Sequence, residues 1–150
     1  VRITPAYGGR EFAGLTEDEV IQWVIERNIE VGVIPAASAY WVIAEEDLPG
    51  GAVSRENDYF FGAWECVDGV VHVDMPKART IQMAHIRKAR DAGLAKLDVP
   101  YLKALEAGDT VEQQRIADLK QGLRDVPQTC DLEQYTTPWA LKTAWPEELP

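Results

Sequence analysis

Asp74-Met-Pro-Lys-Ala-Arg-Thr-Ile-Gln-Met-Ala-His-Ile-Arg-Lys-Ala-Arg-Asp-Ala-Gly-Leu-Ala-Lys-Leu97 is the stretch on which the fold turns. Asp74 can accept a hydrogen bond from a first-turn amide, and Pro76 suits an early helical position where its missing N–H leaves no bond unmade. From Pro76 to Leu97 the only β-branched residues are Thr80, Ile81 and Ile86, and Ala, Lys, Arg and Leu dominate. These are strong helix formers, so a long helix is predicted here, weakened at Gly93. Pro100 either kinks this helix or opens a new one capped by Asp98. Tyr101, Leu102 and Leu105 continue its apolar stripe, and Gly108-Asp109 breaks the chain. Thr110 and Gln113 have capping-box spacing. Ile116, Leu119 and Leu123 then recur at i, i+3 and i+7 up to Pro127. Two amphipathic helices joined this closely predict an antiparallel hairpin from about 76 to 126. Thr137-Pro138 opens a last short helix, Trp139 to Ala144.

Upstream, Asp68-Gly69 is a hairpin signal, because a type I′ turn needs positive φ at both central residues. The turn joins Tyr59-Phe-Phe-Gly-Ala-Trp-Glu-Cys-Val67 to Val70-Val-His-Val73. Ile29, Val31 and Val33 alternate with other residues as a half-buried strand would, and Pro35 ends the run. Ala39 to Ala44 is a second strand candidate, rich in aromatic and β-branched residues. Glu45 to Gly51 reads as a turn. Thr16 and Glu19 form a capping box before Val20, Ile21, Val24 and Ile25, predicting a helix over about 17–28. Residues 1–15, with Pro5 and Gly8-Gly9, read as an extended arm. The expected fold is α+β. A small antiparallel sheet with one helix occupies residues 1–75, and an antiparallel helical hairpin and a short C-terminal helix occupy 76–150.

Composition bounds the function. A chain of 150 residues can bury roughly 70% of its unfolded surface, so it needs neither metal nor disulfide to fold. No run approaches the ~18 uninterrupted apolar residues of a membrane span, and no membrane partner is expected. Val1-Arg-Ile-Thr-Pro5 lacks the apolar core of a secretory signal, and Val1 is small enough to follow a trimmed initiator methionine. The net charge of −10 lies wholly in residues 1–75, which hold 4 Lys/Arg against 14 Asp/Glu; residues 76–150 hold 11 of each. Such a half repels phosphate, so no nucleic-acid partner is expected. Within the long helix, Lys77, Arg79, Arg87, Lys88, Arg90 and Lys96 face only Asp91 in charge terms. Without interleaved aromatics, that basic run suits solvent or acidic protein rather than nucleic acid.

Signals of catalysis are poor. Phosphate-binding glycine loops, G-x-S-x-G and H-E-x-x-H are all missing from the sequence, and no cofactor is expected. Cys66 and Cys130 lie far apart, and His72 and His85 share no ligand spacing, so no metal is expected. Two reduced thiols suit a cytosolic compartment, although the sequence leaves a disulfide between them open. No catalytic role is assigned to His72, His85 or Cys66.

A run of linked motifs carries a resemblance. Asp74-Met-Pro-Lys-Ala-Arg79, Leu97-Asp-Val99 with Tyr101-x-Lys-Ala-Leu-Glu-Ala-Gly-Asp109, Lys120-Gln-x-Leu-Arg-Asp-Val126 and Thr136-Thr-Pro-x-Ala-Leu-Lys142 before Trp145-Pro146 resemble the C-terminal region of the phage tail assembly chaperone family. Asn57-Asp-Tyr-Phe-Phe-Gly-Ala-Trp64 looks like the tryptophan-bearing strand that often precedes that region. Pro100 departs from the charged residue expected there, and residues 1–50 match no tail family motif by motif.

The resemblance implies a non-catalytic tail protein. It would bind phage tail or tail-fibre proteins in the host cytoplasm during assembly. A structural component of the virion tail or tail fibre is the alternative, and a small enzyme a distant third. From the residues themselves, the expected partner-binding surface is Tyr59, Phe60, Phe61 and Trp64, bordered by Glu45, Glu46, Asp47 and Asp58. Aromatics on both faces of one short strand exceed what a small sheet can cover. The hairpin helices are expected to bury their stripes on each other and leave little apolar surface, and a second copy of the chain is a further candidate partner.

Overall fold

The computed structural model describes residues 12–36, 40–49 and 57–149, without the side chains of Glu45, Asn57 and Asp58. Of the arm expected over residues 1–15, residues 1–11 lie outside the described residues, as does the Gly50-Gly51 turn, and 12–15 are not extended but turned, with Leu15 N–H donating to Phe12 C=O at 3.1 Å and Gly14 at φ +87°. Two compact units divide between Val42 and Ile43.

In the first unit, α1 runs Glu17–Glu30. Its capping box forms as predicted: Glu19 N–H donates to Thr16 Oγ1 at 3.4 Å, and Thr16 N–H donates to Glu19 Oε2 at 2.7 Å. That second bond holds the Glu19 carboxyl below its ordinary pKa. Val20 and Val24 are buried with Phe12, whose ring meets Trp23 edge-on at 5.2 Å. The strand expected from Ile29 to Val33 does not form. Residues 29 and 30 continue the helix, Gly32 turns the chain at φ +75°, and the amides of Val33 and Ile34 both donate to the Asn28 carbonyl. With those amides committed, no ladder can start there. Residues 40–44 are irregular as well, and Tyr40, Trp41 and Val42 are more than half exposed. Their composition favours a strand, but strand preference is mostly a preference for a packed, paired neighbour.

The second unit is α+β. Its sheet is one antiparallel hairpin, β1 (Trp64–Val67) on β2 (Val70–Val73), in the register Trp64↔Val73 to Val67↔Val70. Asp68 at φ 50° and Gly69 at φ 80° make the expected turn. The hairpin leads into α2 (Met75–Glu106), α3 (Thr110–Thr129) and α4 (Pro138–Thr143). Asp74 caps α2 by accepting from Lys77 N–H, which with Lys77 itself holds the Asp74 carboxyl below its ordinary pKa.

α2 passes through Pro100 as one helix. Asp98 starts nothing; it pairs with Lys120 of α3 at 2.7 Å, and the same ammonium lies 5.1 Å from the Tyr101 ring centre. One residue of α3 thus holds both sides of the proline. The end of α2 is a Schellman motif: Gly108, at φ +67°, donates to Leu105 C=O, and Asp109 N–H donates to Ala104 C=O at 2.9 Å.

The cap of α3 is Asp109, one residue before the expected Thr110, and its Oδ1 accepts from Glu112 N–H at 2.9 Å. Gln113 instead donates its side-chain amide to Ala104 C=O. Asp109 therefore closes one helix with its backbone and opens the next with its side chain. Asp109→Ala is expected to remove the second function alone and lower stability by about 1 kcal/mol, read as a fall in urea midpoint with unchanged slope. Pro127, expected to end α3, lies inside its last turn. The core gathers where α2, α3 and α4 meet the segment before β1: Phe60, Ala63, Ile86, Leu123, Val126 and Leu141 are all buried there.

Candidate interaction surface

The aromatic stretch is not a strand from its start. Asn57–Ala63 is 3₁₀, with a kink at Phe60 (φ −107°, ψ 25°), and only from Trp64 is the chain extended. This changes which side chains share a face. A strand alternates every second residue, whereas a 3₁₀ turn brings i and i+3 into line. Phe60 and Ala63 accordingly point inward together, 4% and 0% exposed. Phe61 and Trp64 form the next row, their rings T-shaped at 5.3 Å, with Phe61 43% exposed. On a strand, Phe60 would share a face with Trp64, and Phe61 with Tyr59.

Tyr59 is half-buried and held on several sides. Its hydroxyl donates to Gln82 Oε1 at 2.8 Å, and Gln82 Nε2 donates to the Ala144 carbonyl at 2.9 Å. Its ring meets Phe60 and His85 edge-on at 4.8 and 4.7 Å, and Lys142 Nζ lies 5.4 Å from its centre. Burial pushes the phenol pKa up. Gln82, fully buried, ties the 3₁₀ segment, α2 and the chain after α4 into one polar contact. Of the four aromatics expected to contact a partner, Phe60 is thus withdrawn into the core, Tyr59 is half-withdrawn, and Phe61 is displayed beside Trp64.

Glu46 and Asp47 are exposed on the short 3₁₀ turn Glu45–Asp47, while the Glu45 and Asp58 side chains lie outside the described residues. Further exposed apolar groups stand on the same unit. Val67 and Val70 flank the hairpin turn, Trp139 on α4 is 71% exposed, and Trp145 is 41% exposed. The helical hairpin also leaves far more apolar surface than expected. Val99, Leu102, Leu105, Val111 and Leu119 are each 47% exposed or more. The sequence signal for this was present, since apolar residues of α2 recur on two faces, not one.

The basic run of α2 is partly consumed within the unit. Lys77 pairs with Glu65 and Asp74. Arg79 donates to the carbonyls of Leu132 and Tyr135, each at 3.1 Å, and pairs with Glu133. His72 is exposed opposite Glu65 on the β-hairpin, and His85 packs on Tyr59. Cys66 and Cys130 are free thiols, Cys66 exposed and Cys130 half-buried, and burial first, then Asp131 and Glu148, push the Cys130 pKa up. Among the described residues no group of three His, Cys, Asp or Glu is placed to hold a metal ion, and no helix is long and apolar enough to cross a membrane. Compared with protein-family models, with curated proteins and with solved structures, the chain matches none.

Proposed function

We propose that this chain is a non-catalytic bacteriophage tail protein that acts in tail or tail-fibre assembly by binding other tail proteins. The observation that carries the reading is the run of linked motifs from Asn57 to Trp145, which resembles the tail assembly chaperone family across both the aromatic segment and the helical region. The displayed Phe61–Trp64 pair supports it, because a partly exposed aromatic backed by a second ring is a natural anchor for a partner. Trp139, on α4 of the same unit, is a second such group.

In this reading the partner is an assembly-prone tail or tail-fibre protein, bound in the host cytoplasm and shielded until incorporation. The exposed carboxylates of Glu46 and Asp47 favour a basic rim on it, each contributing under about 1 kcal/mol. The test is pull-down of purified tail and tail-fibre proteins of the encoding phage or prophage by the whole chain, with Phe61→Ala and Trp139→Ala alongside. One tail protein should be retained by wild type, and at least one variant should weaken that retention about tenfold or more. Retention of no tail protein would reject the proposal. Mass spectrometry of purified particles then separates a departing chaperone from a resident structural protein.

A further inference from the structure

We infer that the outer face of α2 is a self-association seam on which a second copy of this chain docks with its own α2 in parallel. α2 buries Ala78, Gln82, Ile86, Gly93 and Ala104 on one side. On the opposite side lie Ala92, Ala95, Val99 and Leu102, all exposed, with Val99 58% and Leu102 54% exposed. Their spacing is three, four, three: the a and d positions of a two-stranded coiled coil, with Val at a and Leu at d in its second half. A helix that is apolar on two faces generally has both covered. The described residues of the chain cover one.

The flanking charges identify the occupant. In this frame the g positions are Asp91, Asp98 and Leu105, and the e positions that follow are Lys96 and Lys103. Parallel coils pair each g residue with the e residue five further along on the other strand. Asp91 then meets Lys96 of the second copy and Asp98 meets its Lys103, each pair occurring twice by symmetry. Neither lysine has an ion-pair partner among the described residues. Arg90 and Lys120 contact only Oδ1 of Asp91 and Asp98 respectively, and the two acidic side chains remain 64% and 60% exposed. Each carboxylate can therefore accept a second cation.

An antiparallel pairing of the same apolar positions would join Lys88 to Glu106 of the second copy. It would also set Lys96 against Lys96 and Asp98 against Asp98 beside the symmetry axis. In the parallel pairing the like charges, at Lys88 and Glu106, fall at the ends of the seam, where helices can splay. A seam of four apolar residues per copy is short, so the association is concentration-dependent.

Sedimentation equilibrium of the whole chain at up to about 1 mM should show reversible formation of a dimer. Asp91→Lys/Asp98→Lys and Lys96→Glu/Lys103→Glu should each weaken it about tenfold or more. An equimolar mixture of the two should recover dimer, since each supplies the charges the other has lost. The second double variant leaves the Asp98–Lys120 pair untouched, so it reports on association even if the first disturbs the fold. With dissolved oxygen as the oxidant, Ala95→Cys and Leu102→Cys should each form a disulfide with its own copy above the wild-type background of Cys66 and Cys130. A wild-type chain that stays monomeric, or a dimer indifferent to both charge reversals, would overturn the proposal. Self-cross-linking at only one of the two positions would do the same, because an antiparallel pair brings at most one position onto itself.

Discussion

Phe60→Ala is expected to lower the unfolding free energy by about 3–5 kcal/mol, whereas the adjacent Phe61→Ala should lower it by roughly 1–2. The contrast follows from the 3₁₀ turn. Phe60 is buried on the same row as Ala63, against α2 and the chain around α4. Truncating it removes the apolar transfer term and leaves a void that close-packed neighbours fill only in part. Phe61 lies one step round the turn and loses one edge contact, with Trp64. Urea unfolding of both variants measures the difference. Binding should rank them the other way: a folded Phe61→Ala protein should lose tail-protein retention, and Phe60→Ala should retain it at temperatures where it stays folded. If Phe60→Ala unfolds at the wild-type midpoint, the inward row is misassigned and the anchor lies elsewhere.

The second large effect is expected at Gln82. Gln82→Met keeps the volume nearly constant and removes both hydrogen bonds, so packing is largely preserved and the polar term is isolated. The Ala144 carbonyl would be left buried without its donor and the Tyr59 hydroxyl without its acceptor. At about 1–3 kcal/mol for each such group, less where water can reach Tyr59, the loss should be roughly 2–4 kcal/mol. Tyr59→Phe in the Gln82→Met background should then be nearly neutral, although the same change in the native background removes a bond. A double-mutant cycle by urea unfolding measures that coupling. Additive effects would show that the two side chains do not share a bond.

Where the chain's instructions were local, they could be read directly. Thr16 with Glu19, Asp74 with Pro76, Asp68-Gly69 and Thr137-Pro138 each act through bonds or dihedral limits within four residues, and each produces the element expected. Gly108-Asp109 breaks the chain as expected, but the cap falls on Asp109 and not on Thr110, which offers the same chemistry one residue later. Pro100 leaves both outcomes open in the sequence because the residues beside it, Asp98 and Tyr101, find their contact with Lys120 on another helix.

The two expected strands fail to form for one reason. Alternation at 29–33 and the composition of 39–44 describe half of a ladder, and the other half was never in those residues. The candidate site was legible as a region and not as a face. Tyr59 to Trp64 has one meaning at a period of two and another at a period of three, and only the packing against α2 selects between them. The second apolar face of α2 is not called for by a helical hairpin, which one stripe on each helix already explains.

The contact between Gln82 and the Ala144 carbonyl spans 62 residues of chain. Closing so long a loop carries an entropic penalty that only the contacts it gathers can offset. During synthesis, α2 and α3 can pair as soon as both have left the ribosome, since Gly108-Asp109 joins them. The base of the hairpin cannot. Until Leu141 and Ala144 emerge, Phe60, Ile86 and the Gln82 amide have no lid, and the nascent chain carries an open apolar cleft. A synthesis pause between Thr129 and Leu141 would prolong that state, so the chain is most prone to aggregation in that interval, when α2 and α3 are already built.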